Sequence, residues 1–426
     1  MYNIYIETYG CSANQNNSEI MAGMLSSAGL NVVRNKDLAD VIILNTCIVK
    51  GPTEQRMCSR IKELAGKKQK LIIAGCMPSA EADKIKKISP KAVLVGIHDI
   101  RKILLAVSSA IKGKQKDFLS KQDEEKLCLP KIPFNKTIGI NQISEGCSGN
   151  CSYCFTKFAK GNLFSYSQQN ILKSVRNDLA AGCKEVWLTS QDNAAYGIDY
   201  GSRMLSELLE NIFALKGKFL VRLGMMNPNN VLPILDDLIK SYRNEKMFKF
   251  LHIPLQSGSD SVLKAMNRNY SVKDFLKIIN SFRKAIPDIT ISTDVICGYP
   301  TETEGDFQQT LEIIKKIKPD ILNISKFWSM PRTQASKLQQ LSSEEIKKRS
   351  TKLALLHKKI ALDNNKKWLG QKIRCLIDDF GKNNDMLARN ECYKQIVLKA
   401  DKFSLGKFVN IKITEITPHY LIGEII

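Results

Sequence analysis

Long apolar runs and histidine are both scarce in this sequence. No apolar stretch reaches the roughly 18 residues that a helix needs to cross a bilayer, so the sequence predicts no membrane span. The first ten residues, MYNIYIETYG, have neither a basic start nor a continuous apolar segment, which predicts that no secretory signal peptide is present. We therefore expect a cytoplasmic protein. In that compartment clustered cysteines hold metals or take part in catalysis more often than they form disulfides.

Three of the twelve cysteines crowd into GCSGNCSYC (146–154), where Cys147, Cys151 and Cys154 form a C-x3-C-x2-C pattern. Three thiols leave one unpaired in any disulfide scheme, and structural zinc normally has four ligands. Here one C-x2-C pair is present, and the four histidines are scattered (His98, His252, His357 and His419). An iron–sulfur cluster fits better, because closely spaced thiolates are its usual ligands. Three of them would leave one iron of a [4Fe–4S] cluster open.

A second set of cysteines follows the first three predicted strands, in ETYGC, LNTC and IAGC: Cys11, Cys47 and Cys76. The carboxyl ends of strands in a doubly wound sheet converge on one crevice, so these thiolates from distant loops are expected to meet. The alternative is that each is a small buried hydrophobe. The remaining cysteines show no such arrangement, and we interpret them as core or surface residues: Cys58, Cys128, Cys183, Cys297, Cys375 and Cys392.

The hydrophobic pattern predicts an α/β protein with three parts. Buried strands at 3–9, 40–45, 70–75 and 92–96 alternate with helices near 17–29, 53–66, 79–88 and up to about 112, which predicts an N-terminal doubly wound α/β domain over 1–112. The charged, aperiodic residues 113–132 are interpreted as a linker. Six strands over 133–327 (137–143, 184–190, 219–224, 248–254, 289–297 and 320–327) then predict a partial (βα)6 barrel.

A basic helix at 338–366 completes the second domain, 133–365, and short alternating strands follow it. They lie at KIRCLIDDF, QIVLKA, FVNIKITEI and YLIGEII, and they predict a small OB-like β-barrel over 366–426.

Lysine and arginine outnumber aspartate and glutamate by 64 to 42, which gives a net charge of +22. The excess concentrates in residues 326–367, with 11 basic against 3 acidic side chains, and in residues 50–70, with 7 against 2. Such patches suit a polyanion such as nucleic acid. Solubility and a lysine-rich codon bias are the alternative explanation.

Motifs along essentially the whole chain resemble the radical S-adenosylmethionine (SAM) methylthiotransferases, in the family's order of N-terminal domain, radical SAM barrel and TRAM barrel. They are ETYGCSANQNNSEIMAGML (7–25), NTCIVKGPTEQRM (45–57), GCMP (75–78), EGCSGNCSYCFTKFAKGNLFSY (145–166), LTSQDNAAYGID (188–199), HIPLQSGSDSVLKAMNRNY (252–270) and STDVICGYPTET (292–303). The first motif and SQDNAAYG are most similar to the archaeal and eukaryotic branch. That branch methylthiolates N6-threonylcarbamoyladenosine (t6A) at position 37 of tRNA and gives ms2t6A.

Four positions depart from the family pattern. Lys160 stands where the family usually has arginine, and SMPRTQAS (329–336) is a loose version of its RPGT segment. Asn17 and Asn193 replace a frequent aspartate and threonine. None of these changes affects the six cysteines.

The resemblance implies two [4Fe–4S] clusters and SAM as cofactors. Cys147, Cys151 and Cys154 would hold the cluster whose open iron binds SAM. One electron cleaves SAM to methionine and a 5′-deoxyadenosyl radical, which abstracts hydrogen from C2 of the modified adenine. Cys11, Cys47 and Cys76 would hold a second cluster, also with an open iron, for the sulfur to be inserted.

Further contacts to SAM or substrate are expected at the mouth of the barrel. Tyr153 stands where the superfamily has an aromatic residue near the SAM adenine. Polar residues and a glycine at strand ends are the other candidates: Ser190, Gln191, Asp192, Gln256, Ser257, Asp294 and Gly298. Each could instead satisfy loop backbone groups, and we interpret His252 as a core histidine with satisfied hydrogen bonds.

The basic helix and the C-terminal barrel are expected to bind the anticodon arm of tRNA. The candidate basic side chains are Lys347, Lys348, Arg349, Arg374 and Arg389, and the candidate aromatic ones are Trp368, Phe380, Tyr393 and Phe408. A role of the barrel in packing alone is the alternative. We expect a monomer that needs a reductant and a sulfur donor, neither of which the sequence identifies.

Two other functions fit parts of the pattern. The same chemistry could act on N6-isopentenyladenosine in tRNA or on an aspartate of a ribosomal protein, although the basic charge favours RNA. A non-catalytic RNA-binding iron–sulfur protein would need an inactive SAM site, whereas the cluster loop here is complete.

Overall fold

A computed structural model describes residues 1–48, 51–382, 385–399 and 404–426. Val49 and Lys50 of the second motif, and Ala400 at the end of one predicted strand, lie outside these residues. Among the described residues, no helix is long and apolar enough to cross a membrane.

The N-terminal part is a parallel five-stranded sheet in the order β2-β1-β3-β4-β5. Its strands are β1 (Asn3–Thr8), β2 (Asn31–Val33), β3 (Val41–Thr46), β4 (Lys70–Gly75) and β5 (Val93–Gly96). The helices that cover it are α1 (Ser12–Ser27), α2 (Gly51–Ala65), α3 (Cys76–Ile88) and α4 (Ile103–Ile111). The predicted doubly wound layer is confirmed, and β2 is an additional edge strand.

Helix α1 begins at Ser12, five residues before the predicted start. The reason is its buried face, which is polar over its first turns: Asn14, Asn16, Asn17, Ser18 and Glu19 are all buried. A polar buried face gives no apolar periodicity, so the sequence pattern shows only the second half of the helix.

The second part is an open parallel barrel built from two three-stranded sheets, β10-β9-β6 and β11-β12-β13. A parallel bridge between Val221 and Met247 joins the two sheets. The strands of these sheets are β6 (Ile138–Gln142), β9 (Glu185–Thr189), β10 (Leu220–Leu223), β11 (Phe250–His252), β12 (Thr290–Cys297) and β13 (Ile321–Lys326). A separate antiparallel pair, β7 (Ser144–Glu145) and β8 (Phe164–Ser165), follows β6. The helices are α5 (Thr156–Lys160), α6 (Gln168–Ala180), α7 (Leu205–Phe213), α8 (Pro228–Val231), α9 (Leu235–Tyr242), α10 (Asp260–Ala265), α11 (Val272–Ala285), α12 (Glu304–Ile317) and α13 (Ser343–Asn365).

The C-terminal part is a closed barrel in the order β14-β15-β16-β18-β17. Its strands are β14 (Lys372–Phe380), β15 (Met386–Asn390), β16 (Gln395–Leu398), β17 (Phe408–Ile416) and β18 (Leu421–Ile425). The predicted small β-barrel is therefore confirmed.

The N-terminal layer and the C-terminal barrel contact opposite ends of the central barrel. At the carboxyl ends of its strands, Ser12 Oγ lies 2.8 Å from Thr189 Oγ1, so the start of α1 sits over the end of β9. At the amino ends, the backbone N–H of Lys249 donates to the carbonyl of Glu391 at 2.7 Å. The ring of Tyr393 packs against Phe248, with 4.8 Å between ring centroids. The N-terminal cysteines are thereby brought to the end of the barrel where βα-barrel chemistry takes place.

Candidate active site

The C-x3-C-x2-C cysteines meet around one cavity. Cys147, Cys151 and Cys154 all line a space of about 350 Å³ just beyond β7. The backbone N–H of Gly149 donates to Cys147 Sγ at 3.2 Å. Gly146 has a φ of 73°, and a Cβ there would lie 1.7 Å from the carbonyl oxygen of Asn162, so the loop requires glycine at its start.

Arg268 connects this loop to a buried polar network. Its Nη1 donates to Cys151 Sγ at 3.2 Å and to Asn227 Oδ1 at 3.0 Å. Asn227 Nδ2 in turn donates to Asp192 Oδ2 at 2.8 Å, and Asn230 Nδ2 donates to the same oxygen at 2.7 Å. The predicted residue Asp192 therefore reaches the cysteine loop through two intermediates. Arg268 and Asn227 were not predicted, because their partners lie far away in sequence.

Burial and neighbouring charges affect the ionisation of the cysteines and of Asp192. Burial raises the pKa of Cys147 to about 11; the Gly149 N–H opposes this, while Asp192, Cys151 and Cys154 add to it. Burial likewise raises the pKa of Asp192, against its hydrogen bonds from Asn227 and Asn230. A cationic or electron-poor group in the cavity would stabilise the thiolates.

The second set of cysteines comes from three loops that Asn14 ties together. Asn14 is fully buried, and its Nδ2 donates to the carbonyls of Tyr9 at 2.9 Å and Thr46 at 2.8 Å. Cys76 Sγ donates to Asn14 Oδ1 at 3.7 Å. One amide thus holds the residues beside Cys11 and Cys47 against Cys76, and it is a site residue that the sequence pattern does not show.

The three thiols of this set interact electrostatically. Burial raises the pKa of Cys76 to about 12, and the thiols of Cys11 and Cys47 push it in the same direction, against Lys160. Gly10, which has a φ of 110°, is so close to the next loop that a Cβ there would lie 3.1 Å from Cys47 Sγ. The predicted convergence of the three strand ends is therefore present. Among the described residues the cysteines form no disulfide.

The donor sets suit clusters better than single ions. Within the described residues, no group of three or more His, Cys, Asp or Glu side chains is placed to hold a metal ion. The thiolates of a [4Fe–4S] cluster each bind a different iron and stand further apart than the ligands of one ion. Each set supplies three thiols, the ligand type that such clusters take.

The other predicted contacts differ in their surroundings. Tyr153 is half-buried and makes an edge contact with Tyr299, with 6.5 Å between ring centroids. Asp294 accepts from Asn323 Nδ2 at 2.9 Å and lies 2.8 Å from His252 Nε2. His252 is therefore paired inside the barrel, as its interpretation as a satisfied histidine predicts.

The loops after β9 and β11 hold four more of the predicted residues. Ser190 Oγ accepts from the N–H of Asp192 at 3.1 Å, and the buried Oε1 of Gln191 has no hydrogen-bond partner among the described residues. Gln256 has a φ of 65° and donates its N–H to the carbonyl of Asp294 at 2.7 Å. Ser257 is fully buried and accepts from the N–H of Ser259 at 3.3 Å. Of these four, only Gln191 presents a buried polar atom without a partner.

Gly298 lies beneath α13. A Cβ at this position would come within 2.4 Å of Ile346 Cγ1, and its N–H donates to Glu302 Oε2 at 2.8 Å. The structure therefore explains this glycine by close packing of the helix.

Of the predicted RNA-binding side chains, Lys347, Lys348 and Arg374 are exposed. The expected RNA contact of Arg349 is contradicted, because its side chain is 6% exposed and its Nη1 lies 2.7 Å from Glu302 Oε2. Arg389 is largely enclosed, with its Nε 3.3 Å from Asp378 Oδ2.

The predicted aromatic contacts divide in the same way. Phe380 is exposed and Phe408 is half-buried. Trp368 and Tyr393 are buried in the packing of the barrel, so their expected stacking on RNA bases is wrong.

Comparison with known proteins agrees with this architecture. Residues 3–96 match the family described as uncharacterized protein family UPF0004, residues 141–314 match the radical SAM superfamily, and residues 366–426 match the TRAM domain. The fold resembles a radical SAM methyltransferase, TsrM, from Kitasatospora setae, with a TM-score of 0.57 and 12% identity over 78% of this chain and 76% of that one. At that identity the likeness shows the fold alone.

Curated relatives are similar over the full length. A probable threonylcarbamoyladenosine tRNA methylthiotransferase of Pyrococcus abyssi is 39% identical over 100% of both chains. That of Methanothermobacter thermautotrophicus is 39% identical over 99% of both. The human threonylcarbamoyladenosine tRNA methylthiotransferase is 34% identical over 99% of this chain and 73% of its own length. The chain therefore belongs to the radical SAM enzymes named threonylcarbamoyladenosine tRNA methylthiotransferases.

Proposed function

We propose that this enzyme methylthiolates C2 of t6A at position 37 of tRNA, giving ms2t6A, with SAM and two [4Fe–4S] clusters as cofactors. One observation carries the proposal. Two separate sets of three cysteines lie at one end of the barrel in a chain that matches named t6A tRNA methylthiotransferases from end to end. The cytoplasmic location, the monomeric state and the domain limits 1–112, 133–365 and 366–426, with linker 113–132, belong to the same proposal.

The residues have distinct roles in this scheme. Cys147, Cys151 and Cys154 would hold the SAM-binding cluster, which supplies the electron for reductive cleavage of SAM when it is bound. Arg268 donates a hydrogen bond to Cys151 and lowers the electron density on that sulfur. Asp192 fixes Arg268 through Asn227.

The other set would serve sulfur insertion. Cys11, Cys47 and Cys76 would hold the second cluster, and Asn14 orients their three loops. Because three thiolates leave one iron open, a sulfur-containing ligand can bind there. The contact of Ser12 with Thr189 holds this set over the end of β9.

The exposed basic residues support an RNA substrate. Lys218, Lys372 and Arg374 line a cleft of about 520 Å³ between the central and C-terminal barrels. The guanidinium of Arg374 lies 5.0 Å from the ring centre of Phe408, an arrangement that suits phosphate and base contacts. We place the anticodon arm along this cleft and along the exposed lysines of α13.

An anaerobic assay on t6A-containing and t6A-lacking tRNA, read by mass spectrometry of nucleosides, tests the function. We expect ms2t6A only from the first. The Cys154→Ala variant should cleave no SAM, whereas Cys76→Ala should cleave SAM but insert no sulfur. Methylthiolation of isopentenyladenosine, or of a ribosomal-protein aspartate, in place of t6A would show that the enzyme acts on that other substrate. Absence of SAM cleavage by the intact enzyme would leave an RNA-binding iron–sulfur protein.

A further inference from the structure

Three charged side chains form a buried group between the two sets of cysteines. Lys160 Nζ lies 2.6 Å from Glu145 Oε1, and Lys126 Nζ lies 2.5 Å from Glu145 Oε2. Each of the three side chains is 2% exposed. Burying ions in this way is costly unless charges balance, so a second ammonium on one carboxylate needs an explanation.

The charges of the group are unequal. Burial alone would lower the pKa of Lys160. Glu145 and the thiols of Cys76 and Cys11 outweigh burial, and the pKa of Lys160 is raised. Burial lowers the pKa of Lys126. By formal charge the group therefore carries two ammonium groups on one carboxylate, and Lys160 lies on the helix that packs against the helix beginning at Cys76.

The fold holds Lys160 in this position from both sides. Lys160 ends α5, which packs against α3, whose first residue is Cys76. The neighbouring Ala159 belongs to the same apolar cluster as Cys76. The cation cannot turn toward solvent without breaking this packing.

A [4Fe–4S] core in its oxidised form, bound by three thiolates, carries one net negative charge. We propose that Lys160, positioned by Glu145 and Lys126, is the counter-charge of the cluster at Cys11, Cys47 and Cys76 and raises its reduction potential. This inference rests on the proposed function. A nearby cation favours the more negative, reduced state of a cluster, and net charge is one of the determinants of cluster potential.

Opposite changes of charge test the proposal. In a full-length background with Cys147, Cys151 and Cys154 changed to Ala, only the N-terminal cluster remains to be titrated by anaerobic EPR. Lys160→Met should shift its midpoint potential downward, and Lys160→Arg should keep it. Glu145→Gln removes a negative charge and should shift it upward. Lys126→Met, which removes the ammonium at the other carboxylate oxygen of Glu145, is the matched control and should give a smaller downward shift than Lys160→Met.

The outcomes separate the inference from the function on which it rests. An unchanged potential in Lys160→Met, or shifts of the same sign in Lys160→Met and Glu145→Gln, would overturn the counter-charge role. If Lys160→Met does not assemble a cluster, the other two variants decide. An unchanged potential in Lys160→Arg with an upward shift in Glu145→Gln supports the role, and any other pair of results overturns it. Absence of iron from the background variant itself would overturn the second cluster and the inference with it.

Discussion

At the scale of single residues, buried amides hold the site together. Asn14 satisfies two loop carbonyls and one thiol in the N-terminal set. Asn17 is equally buried in the same helix, but its Oδ1 accepts from Gln142 Nε2 at the end of β6, at 2.8 Å. Substituting these two side chains therefore distinguishes an effect on the stability of α1 from an effect on the geometry of the cysteine site.

Asn14→Ala should lose iron at the N-terminal set. The change leaves two buried carbonyls without donors, at a cost of about 1–3 kcal/mol for such a group. Iron content after anaerobic reconstitution, in the background that lacks the other three cysteines, is the measurement. Asn17→Ala is the control, which should lower the urea midpoint and retain iron. Equal iron in both variants would contradict the role of Asn14.

Glu19 makes stability depend on pH. Burial raises its pKa to about 7, against Lys131, while the ordinary value is 4.5. Because the Glu19 carboxyl loses its proton more readily in the unfolded chain, its contribution to stability is fully present below about pH 4.5. That contribution is lost as the pH rises through about 7. The free energy of unfolding should fall by about 3 kcal/mol across that range through this group. Between pH 4.5 and 7.5, the free energy of unfolding measured in urea should fall less for Glu19→Gln than for the unchanged protein.

At the scale of elements, helix α13 has basic side chains on a buried face and on an exposed face. Arg349 faces inward and donates from Nη1 to the carbonyl and Oε2 of Glu302, whose carboxylate also accepts from Gly298. Lys347 and Lys348 face solvent. The sequence shows one run of three basic residues, and only the packing distinguishes them.

Substitution along this run should separate folding from RNA binding. Arg349→Met leaves Glu302 buried without its cation and should cost about 3–5 kcal/mol in urea unfolding. Lys347→Ser with Lys348→Ser should leave stability unchanged and reduce the salt slope of tRNA binding by about 1.5, because each phosphate contact contributes roughly 0.7–0.9. An unchanged slope in the double variant would remove α13 from the RNA interface.

The elements also show what the sequence could predict. Strands such as VIILNT are buried at every position and give a continuous apolar run, so β3 was located to within one residue. Edge strand β2 has three residues, none of them fully buried, and gives no such signal. The set of Cys147, Cys151 and Cys154 was predictable from its spacing on one loop, and the set of Cys11, Cys47 and Cys76 was predictable because the strand ends converge by topology. Arg268, Asn14 and Lys126 were not, because their roles depend on partners that are distant in sequence.

At the scale of the whole molecule, Tyr393 joins the C-terminal barrel to the central one. Its ring lies 4.8 Å from that of Phe248 and 5.0 Å from that of Phe250. The Arg222 guanidinium lies 5.5 Å from the same ring, inside the amino end of the central barrel. The C-terminal barrel thus closes the end opposite the cysteines.

Tyr393→Ala should destabilise the protein by about 3–5 kcal/mol, since it removes a buried aromatic ring from this interface. Phe380→Ala, at an exposed position of the same barrel, is the control and should leave stability unchanged. Urea unfolding of the two variants makes the comparison. A similar loss in both would mean that the interface has no special role.

The closure of opposite ends by two different domains has a consequence for substrate size. Barrel strands of three to eight residues, at about 3.3 Å per residue, separate the C-terminal barrel from the cysteines by roughly 10–25 Å. If tRNA binds as proposed, one molecule must reach along the outside of the barrel from the basic cleft to the catalytic mouth. A free t6A nucleoside is too short to do so, and the enzyme would then act on the base only as part of a longer RNA.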